Sequence, residues 1–479
     1  MLWLTFACSG SGTTEDLPTD ASEPHETGTD TDPTGPTGDT SSTEEHTGTH
    51  GTPVALDGVA ATVDDEIGSL VWVDWTQDQE ADVHLEFSVD PGEWRSSPIR
   101  ALDAGPHREL LLGVPYDADV TWRVVATNTA GEARTADATS HTDPLPADFP
   151  TLTVHTSDST GQDVGGAPYV FTTLGPPTLS GAHFAFLLDR QARVVWSHRA
   201  PRNRVSIHSR VARDGRSLYI DHNSFWASFD LGAGSSVVQM TLDGEVVLEF
   251  PTPGMHHPFT DLPDGSLAYG KLEGLLGESV ALVRRDLTTQ TLWDCQAWLA
   301  PIQPGSACQS NTLNHDPATG TFLFSLYTVE TIVEIDATTG DTLRWFGHVP
   351  SAYAFDPPGS AFWWQHGGHF LPNGHLLTSS DLQDRPAVET VAREYEVDTA
   401  QRTLREVWNM DVGAGILGGT MGEAVRLPNG NTWHNFGDLA RLREVAPDGT
   451  LVWDIEWATK TIGRSMPVVD LYAMAGDRP

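Results

Sequence analysis

Ile335-Asp-Ala-Thr-Thr-Gly-Asp-Thr-Leu-Arg-Trp345 reads as the end of an apolar strand, an Asp-led turn and a second strand carrying Trp. The unit recurs as Leu188-Asp189 before Trp196, Leu242-Asp243 before Leu248, Arg285-Asp286 before Trp293, Val397-Asp398 before Trp408 and Pro447-Asp448 before Trp453. That makes six copies, with Asp-to-Asp spacings of 54, 43, 50, 62 and 50 residues. A repeat of about 40–60 residues built from short strands is a propeller signature. The expected fold is all-β, with a six-bladed β-propeller over residues 150–479.

A second phrase locates the axis. His257-x4-Leu262-Pro-Asp-Gly265, His366-x4-Leu371-Pro-Asn-Gly374 and Gly422-x4-Leu427-Pro-Asn-Gly430 share one spacing. Asn311-x4-Asp316-Pro317 fits with a longer turn, and His208-x4-Arg213-Asp-Gly215 with one residue deleted. Spacing puts the sixth position near Arg464. The Pro-Asx-Gly turn joins a first strand to a second, and first strands line a propeller's channel. The axial position therefore reads His208, His257, Asn311, His366, Gly422 and Arg464, a polar ring rather than an apolar one.

Upstream, residues 53–145 alternate as an antiparallel sandwich, for example Leu70-Val-Trp-Val-Asp-Trp75 and Val83-His-Leu-Glu-Phe87. The phrase Val120-Thr-Trp-Arg-Val-Val-Ala-Thr-Asn128 ahead of Gly131 resembles a fibronectin type III strand and turn. Residues 9–52 hold 10 acids and no Lys or Arg, and are too polar to build a core. They read as a disordered, extended tether. Before them, the start MLWLTFAC resembles the tail of a bacterial lipoprotein signal over residues 1–8, with Cys8 as the lipidated residue. That implies an exported protein, lipid-anchored in the cell envelope. Cys295 and Cys308 lie 13 apart across a Pro/Gly loop and are a possible disulfide.

The chain carries 27 Lys plus Arg against 66 Asp plus Glu, a formal net charge of −39. A surface this acidic repels polyanions, so nucleic acid is not an expected partner. No apolar run is long enough for a transmembrane helix. Three Cys exclude a disulfide-dense scaffold or a Cys-rich metal site. Three axial imidazoles leave zinc open as one chemistry. Transfer of an anionic group is the other: Arg and Asn hold phosphoryl or sulfuryl oxygens, one neutral His attacks, and a second moves a proton. Imidazoles titrating near neutrality would serve both roles. Glu394 and Asp381 lack the spacing of metal ligands, so no metal is assigned. A quinone-dependent propeller usually has eight blades, against six repeats here.

At this point residues 150–475 resemble the bacterial arylsulfotransferases. The resemblance rests on Phe186-Leu-Leu-Asp-Arg-Gln-Ala-Arg-Val-Val-Trp196, the pair His256-His257, Ile335 to Trp345 followed by Gly347, Gln365-His366, Glu444-Val-Ala-Pro-Asp-Gly-Thr-Leu-Val-Trp453, and Gly463-Arg464 before Leu471-Tyr472. It implies a periplasmic propeller in which a transiently sulfated His passes its group to a phenol, with no diffusible cofactor. His366 is then the nucleophile, with His257 and Asn311 as further catalytic residues. His256, His208, Gln309, Tyr327 and Arg464 are implied substrate contacts. Gln309 stands where the family has a His, and Tyr327 where it has an Arg. A Tyr offers one hydrogen bond in place of a bidentate charged pair. The implied partners are an aryl sulfate and a phenol. The alternative is a catalytically degenerate propeller that binds a ligand or envelope partner.

Overall fold

The computed structural model describes residues 51–90, 92–176, 181–228, 230–274, 276–384 and 386–475. The signal reading, with Cys8, and all of the tether except its last two residues lie outside them. Residues 56–141 form two facing antiparallel sheets. One orders Leu56–Val63, Val71–Gln77 and Gly105–Leu111; the other centres on Ala81–Val89 and Asp119–Asn128. Their inward residues, among them Trp75, Val83, Leu85, Phe87 and Trp122, make one core. Alternation along Val71–Gln77 is the sequence cause: every second side chain turns inward.

From Leu152 onward the described residues carry six sheets built mainly from consecutive antiparallel hairpins, with Ala354–Asp356 added parallel to Thr403–Met410 at the edge of one. Counted from the middle of the ring outward, sheet II runs Arg210–Val211, Leu218–His222, Ser236–Met240, Val246–Pro251. Sheets III to VI repeat this order from first strands Met255–Asp261, Ser310–Asp316, Trp363–Phe370 and Glu423–Arg426. Sheet I takes its innermost pieces, Thr461–Ile462 and Met466–Val468, from the end of the chain; they pair with Tyr169–Gly175. Sheet VI takes its outermost strand, Leu152–Ser157, from the start. The two ends of this region are therefore sewn into neighbouring sheets, as a propeller requires.

Each Asp-led turn joins the third strand of a sheet to its fourth. The Asp189, Asp286, Asp336 and Asp448 side chains accept backbone N–H groups two residues on. Third strands are buried along nearly their whole length, as in Glu278–Val283, because a sheet packs on either face. Fourth strands such as Val246–Pro251 are largely exposed. The Leu-Pro-Asx-Gly turns join first to second strands, and Gly265, Gly374 and Gly430 have φ of 77°, 83° and 92°, where only Gly is unstrained.

The sandwich and propeller share a core: Ile67, Leu70, Leu110 and Leu112 pack with Phe171, Trp196 and Leu471. Ser69 Oγ donates to the Val195 carbonyl at 2.9 Å, and Tyr472 Oη to that of Leu110 at 3.2 Å. Cys295 and Cys308 form a disulfide, with Cα atoms 6.0 Å apart, that pins the short helix Cys295–Leu299 beside sheet III. Replacing both by Ser is expected to remove about 3 kcal/mol of stability, read as a lower urea midpoint at unchanged slope. Among the described residues no helix is long and apolar enough to cross a membrane.

Candidate functional site

First strands face one another around the middle of the ring. Met255–Asp261 packs against Ser310–Asp316, that strand against Trp363–Phe370, and Arg210–Val211 against Met466–Val468. In sheets III, IV and V the strand pairing slips at the axial residue: between Met255 and Phe259, between Ser310 and Thr312, and on both sides of His366. Each slip is a bulge that turns a side chain out of the regular pleat. His256-His257, Asn311 and His366 are thus re-aimed at the same relative place.

The His208 and His257 rings lie 5.7 Å apart edge to face, and those of His256 and His257 3.8 Å apart. Nδ1 of His256 and Nδ1 of His257 are 3.0 Å apart and share one proton. His366 is close enough for its charge to act on both His208 and His257. Asn311 Nδ2 donates to the Gln365 carbonyl at 2.8 Å, joining it to the His366 strand. The shortened turn after His208 does not misaim it; its ring belongs to the cluster. Trp226, on the one-turn helix Phe225–Ser228, stacks on His256 at 5.6 Å and tilts over His257 at 5.0 Å. Phe225 and Tyr327 add ring edges to the same wall.

Four buried polar atoms here have no hydrogen-bond partner among the described residues: His208 Nε2, Trp226 Nε1, Asn311 Oδ1 and Gln365 Oε1. Orphaned buried polar atoms are rare, and a cluster with both donors and acceptors fits a polar ligand. On His366, Nδ1–H donates to the Trp364 carbonyl at 2.8 Å, which leaves the lone pair on Nε2. In this structure that nitrogen accepts the Met421 N–H at 3.1 Å.

Several assigned roles change. Burial pushes the His256 imidazole down to about 3, and burial plus neighbouring imidazoles push His208 and His257 well below the ordinary value. These rings are neutral near pH 7, so they accept protons poorly and do not titrate near neutrality. A carboxylate joins the cluster that the axial phrase did not mark. Glu278 Oε2 lies 3.6 Å from His256 Nδ1, and burial raises the Glu278 carboxyl to about 8, although Ser310 N–H and Oγ donate to it. Glu278 therefore holds a proton at neutral pH that the imidazoles do not. Its signal was a lone charge heading the apolar strand Glu278-Ser-Val-Ala-Leu-Val283.

The anion-holding assignments shift as well. Asn311 gives one amide N–H to the backbone and keeps a second N–H beside an unpartnered Oδ1, so it suits a hydroxyl as well as a sulfuryl oxygen. Tyr327 Oη donates to Gln309 Oε1 at 2.8 Å, so the two replaced positions bond each other. Arg464 donates to Asn314 Oδ1 at 2.9 Å and pairs with Glu423 at 2.7 Å. It lines a cavity of about 230 Å³ with Arg210, Asn314, His369 and Glu423, and its charge also reaches His208 in the cluster.

The Glu278 shift gives a pH dependence with a definite sign. A carboxyl raised from 4.5 to about 8 binds its proton more tightly in the folded chain. Its contribution to stability is complete below about pH 4.5 and is lost as pH rises through 8. Glu278→Gln is expected to match the parent's thermal midpoint at pH 5 and to exceed it by at least ~2 °C at pH 9. Equal midpoints at both pH values would contradict the raised carboxyl.

No family model matches the chain, and no curated protein matches it. Among solved structures it is similar to virginiamycin B lyase from Staphylococcus aureus: 11% identity, 67% of this chain and 89% of that chain covered, TM-score 0.37. A putative 6-phosphogluconolactonase from Bacteroides fragilis is 14% identical, covering 81% of this chain and 98% of that chain, with a TM-score of 0.40. The Cps50 (Swd1) β-propeller domain of Myceliophteria thermophila is 12% identical, with 64% and 99% covered and a TM-score of 0.33. Two of these neighbours are enzymes by name.

Proposed function

We propose that the chain is an exported sulfotransferase that moves a sulfuryl group from an aryl sulfate to a phenol through His366. The observation that carries this is the neutral imidazole cluster at the ring's middle, walled by Trp226, Phe225 and Tyr327 and fringed by unpartnered donors and acceptors. A flat aryl group suits the rings, and neutral imidazole suits nucleophilic attack. In the first step His366 Nε2 bonds to sulfur and the sulfur–aryl oxygen bond breaks. The departing phenolate takes a proton held on the Glu278–His256–His257 side. In the second step an incoming phenol loses its proton to that side and its oxygen takes the sulfuryl group from His366. Trp226 Nε1–H and a His208 Nε2–H tautomer are placed to donate to sulfuryl oxygens, and Asn311 Oδ1 to accept from the phenol hydroxyl.

Attack requires Met421 N–H to leave His366 Nε2. Met421 ends a stretch containing Gly413, Gly415, Gly418 and Gly419, which supplies the freedom. Export agrees with the Cys295–Cys308 disulfide. Anchoring through Cys8 follows from the resemblance of the first eight residues to a lipoprotein signal. The test is purified chain with a chromogenic aryl sulfate and a phenol acceptor: phenol release, and sulfate on His366 when acceptor is omitted, are expected. A second reading, a propeller that binds such ligands without turnover, is favoured by the capped Nε2 and the Gln309–Tyr327 bond. It predicts saturable binding with no sulfate on His366.

A further inference from the structure

Beside the imidazole cluster the fold assembles a second set of groups from three distant segments. Ser379 Oγ lies 2.9 Å from His434 Nε2, and His434 Nδ1 lies 2.7 Å from Asp411 Oδ2. Ser379 stands on the second strand of sheet V and His434 on that of sheet VI. Asp411 directly follows the fourth strand of sheet V, and Arg443 pairs with its carboxylate. Asp411, paired with Arg443, accepts Nδ1–H from His434, which turns the Nε2 lone pair toward the Ser379 hydroxyl. The His434 ring is held from its side by Phe436, 4.2 Å between centroids. These are the roles of nucleophile, base and orienting acid, defined by geometry rather than chain order.

The set adjoins the axis. Ser379 is the register partner of His366, so the two side chains leave the same face of sheet V. The axial residue in front of it is Gly422, where the other positions carry His, Asn or Arg. A Cβ on Gly422 would sit 3.3 Å from Ser379 Oγ and 3.0 Å from the Asn435 carbonyl, and its φ is 107°. Ser379 is buried, and with no side chain at Gly422 it is separated from the axis by main chain and by the glycine-rich stretch that also caps His366.

We propose that Ser379, His434 and Asp411 form a second nucleophilic site, adjoining the axial cluster and taking small carboxylic esters of phenols. Ser379 Oγ bonds to the ester carbonyl carbon as its proton passes to His434 Nε2. The bond from carbon to the aryl oxygen breaks, and the phenol leaves with that proton. Water, deprotonated by His434, then releases the acid and restores Ser379. Asp411 touches neither substrate nor water; it positions His434.

The test uses the full chain with a small fluorophosphonate and with p-nitrophenyl acetate, followed by peptide mapping. Covalent label on Ser379 and nitrophenol release are expected, with both absent in Ser379→Ala. His434→Gln is expected to slow labelling about 100-fold, since a general base contributes at least that much. Thermal midpoints of the variants separate lost chemistry from lost folding, and heat-unfolded parent serves as the unlabelled control. Ser379 unlabelled by either reagent in folded parent, or labelled equally fast in folded His434→Gln, overturns the proposal and leaves the three residues as a buried polar link between sheets. The readout is an adduct on Ser379, so it fails independently of sulfate on His366.

Discussion

Glu444→Ala is expected to cost about 3–5 kcal/mol, the largest stability loss of any single polar substitution proposed here. Glu444 sits on the third strand of sheet VI, fully buried, and pairs with Arg190 from the Asp-led turn of sheet I. The Trp433 indole N–H donates to the same carboxylate at 2.9 Å, Asn431 Nδ2 at 2.7 Å and the Asp163 N–H at 2.9 Å. Arg190 lies over the Trp453 ring, 4.4 Å from its centroid, and burial lowers its affinity for a proton. Alanine would leave that guanidinium buried without its anion, along with three orphaned donors. The pair spans the seam where both ends of the propeller region are sewn in, so its loss should open the ring rather than loosen one sheet. The double substitution Arg190→Met with Glu444→Leu removes both charges and is expected to recover most of the loss. Chemical denaturation of the three variants checks this; a Glu444→Ala loss under ~1 kcal/mol would show that the seam holds without the pair.

What the sequence made legible was whatever repeats. The Asp-led turns announce themselves because a carboxylate capping its own backbone serves four of the six third-to-fourth hairpins in the same way. The Leu-Pro-Asx-Gly phrase works for a similar reason: a positive φ at Gly265, Gly374 and Gly430 admits little else. Fixed spacing from that turn then found His257, Asn311 and His366. Arg464 obeys a looser spacing, because sheet I's inner edge is split into Thr461–Ile462 and Met466–Val468, and its side chain lines the cavity shared with Arg210 and Glu423.

Groups outside the repeat carried little signal in the sequence, Glu278 showing only as a lone charge heading an apolar strand. Trp226 lies on a helix inserted between strands of sheet II, and no period marks it. Glu278 belongs to the third strand of sheet III yet reaches the cluster across a sheet face. Ser379, Asp411 and His434 meet only because neighbouring sheets pack face to face. Glu444 heads a phrase quoted for its turn, and nothing in Glu-Val-Ala-Pro-Asp-Gly tells that its first residue is buried against Arg190. Protonation was misread for the same reason: the number of wall residues around an imidazole decides its titration, and composition does not report that number.

The functional counterpart is His366→Ala, expected to reduce phenol release from an aryl sulfate by at least ~10³-fold. The substitution removes a nitrogen whose lone pair is fixed by a backbone carbonyl, Nδ1–H being held by Trp364. His257 does not replace it, because its Nδ1 is tied to His256. His208 keeps an unpartnered Nε2, so its own replacement by Ala is expected to weaken sulfuryl binding and to leave the sulfated His366 detectable. The two variants thus separate nucleophile from holder. Rapid-quench measurement with labelled aryl sulfate should show sulfate on protein in the parent and in His208→Ala, and none in His366→Ala. Because burial keeps His256 and His257 neutral far below pH 6.5, neither ring should add a titration step to that half-reaction between pH 5 and 7. The half-reaction should decline as pH rises through about 8, where Glu278 loses the proton the leaving phenolate needs. A rate that stays level through pH 8 to 9 would place the working acid outside this cluster.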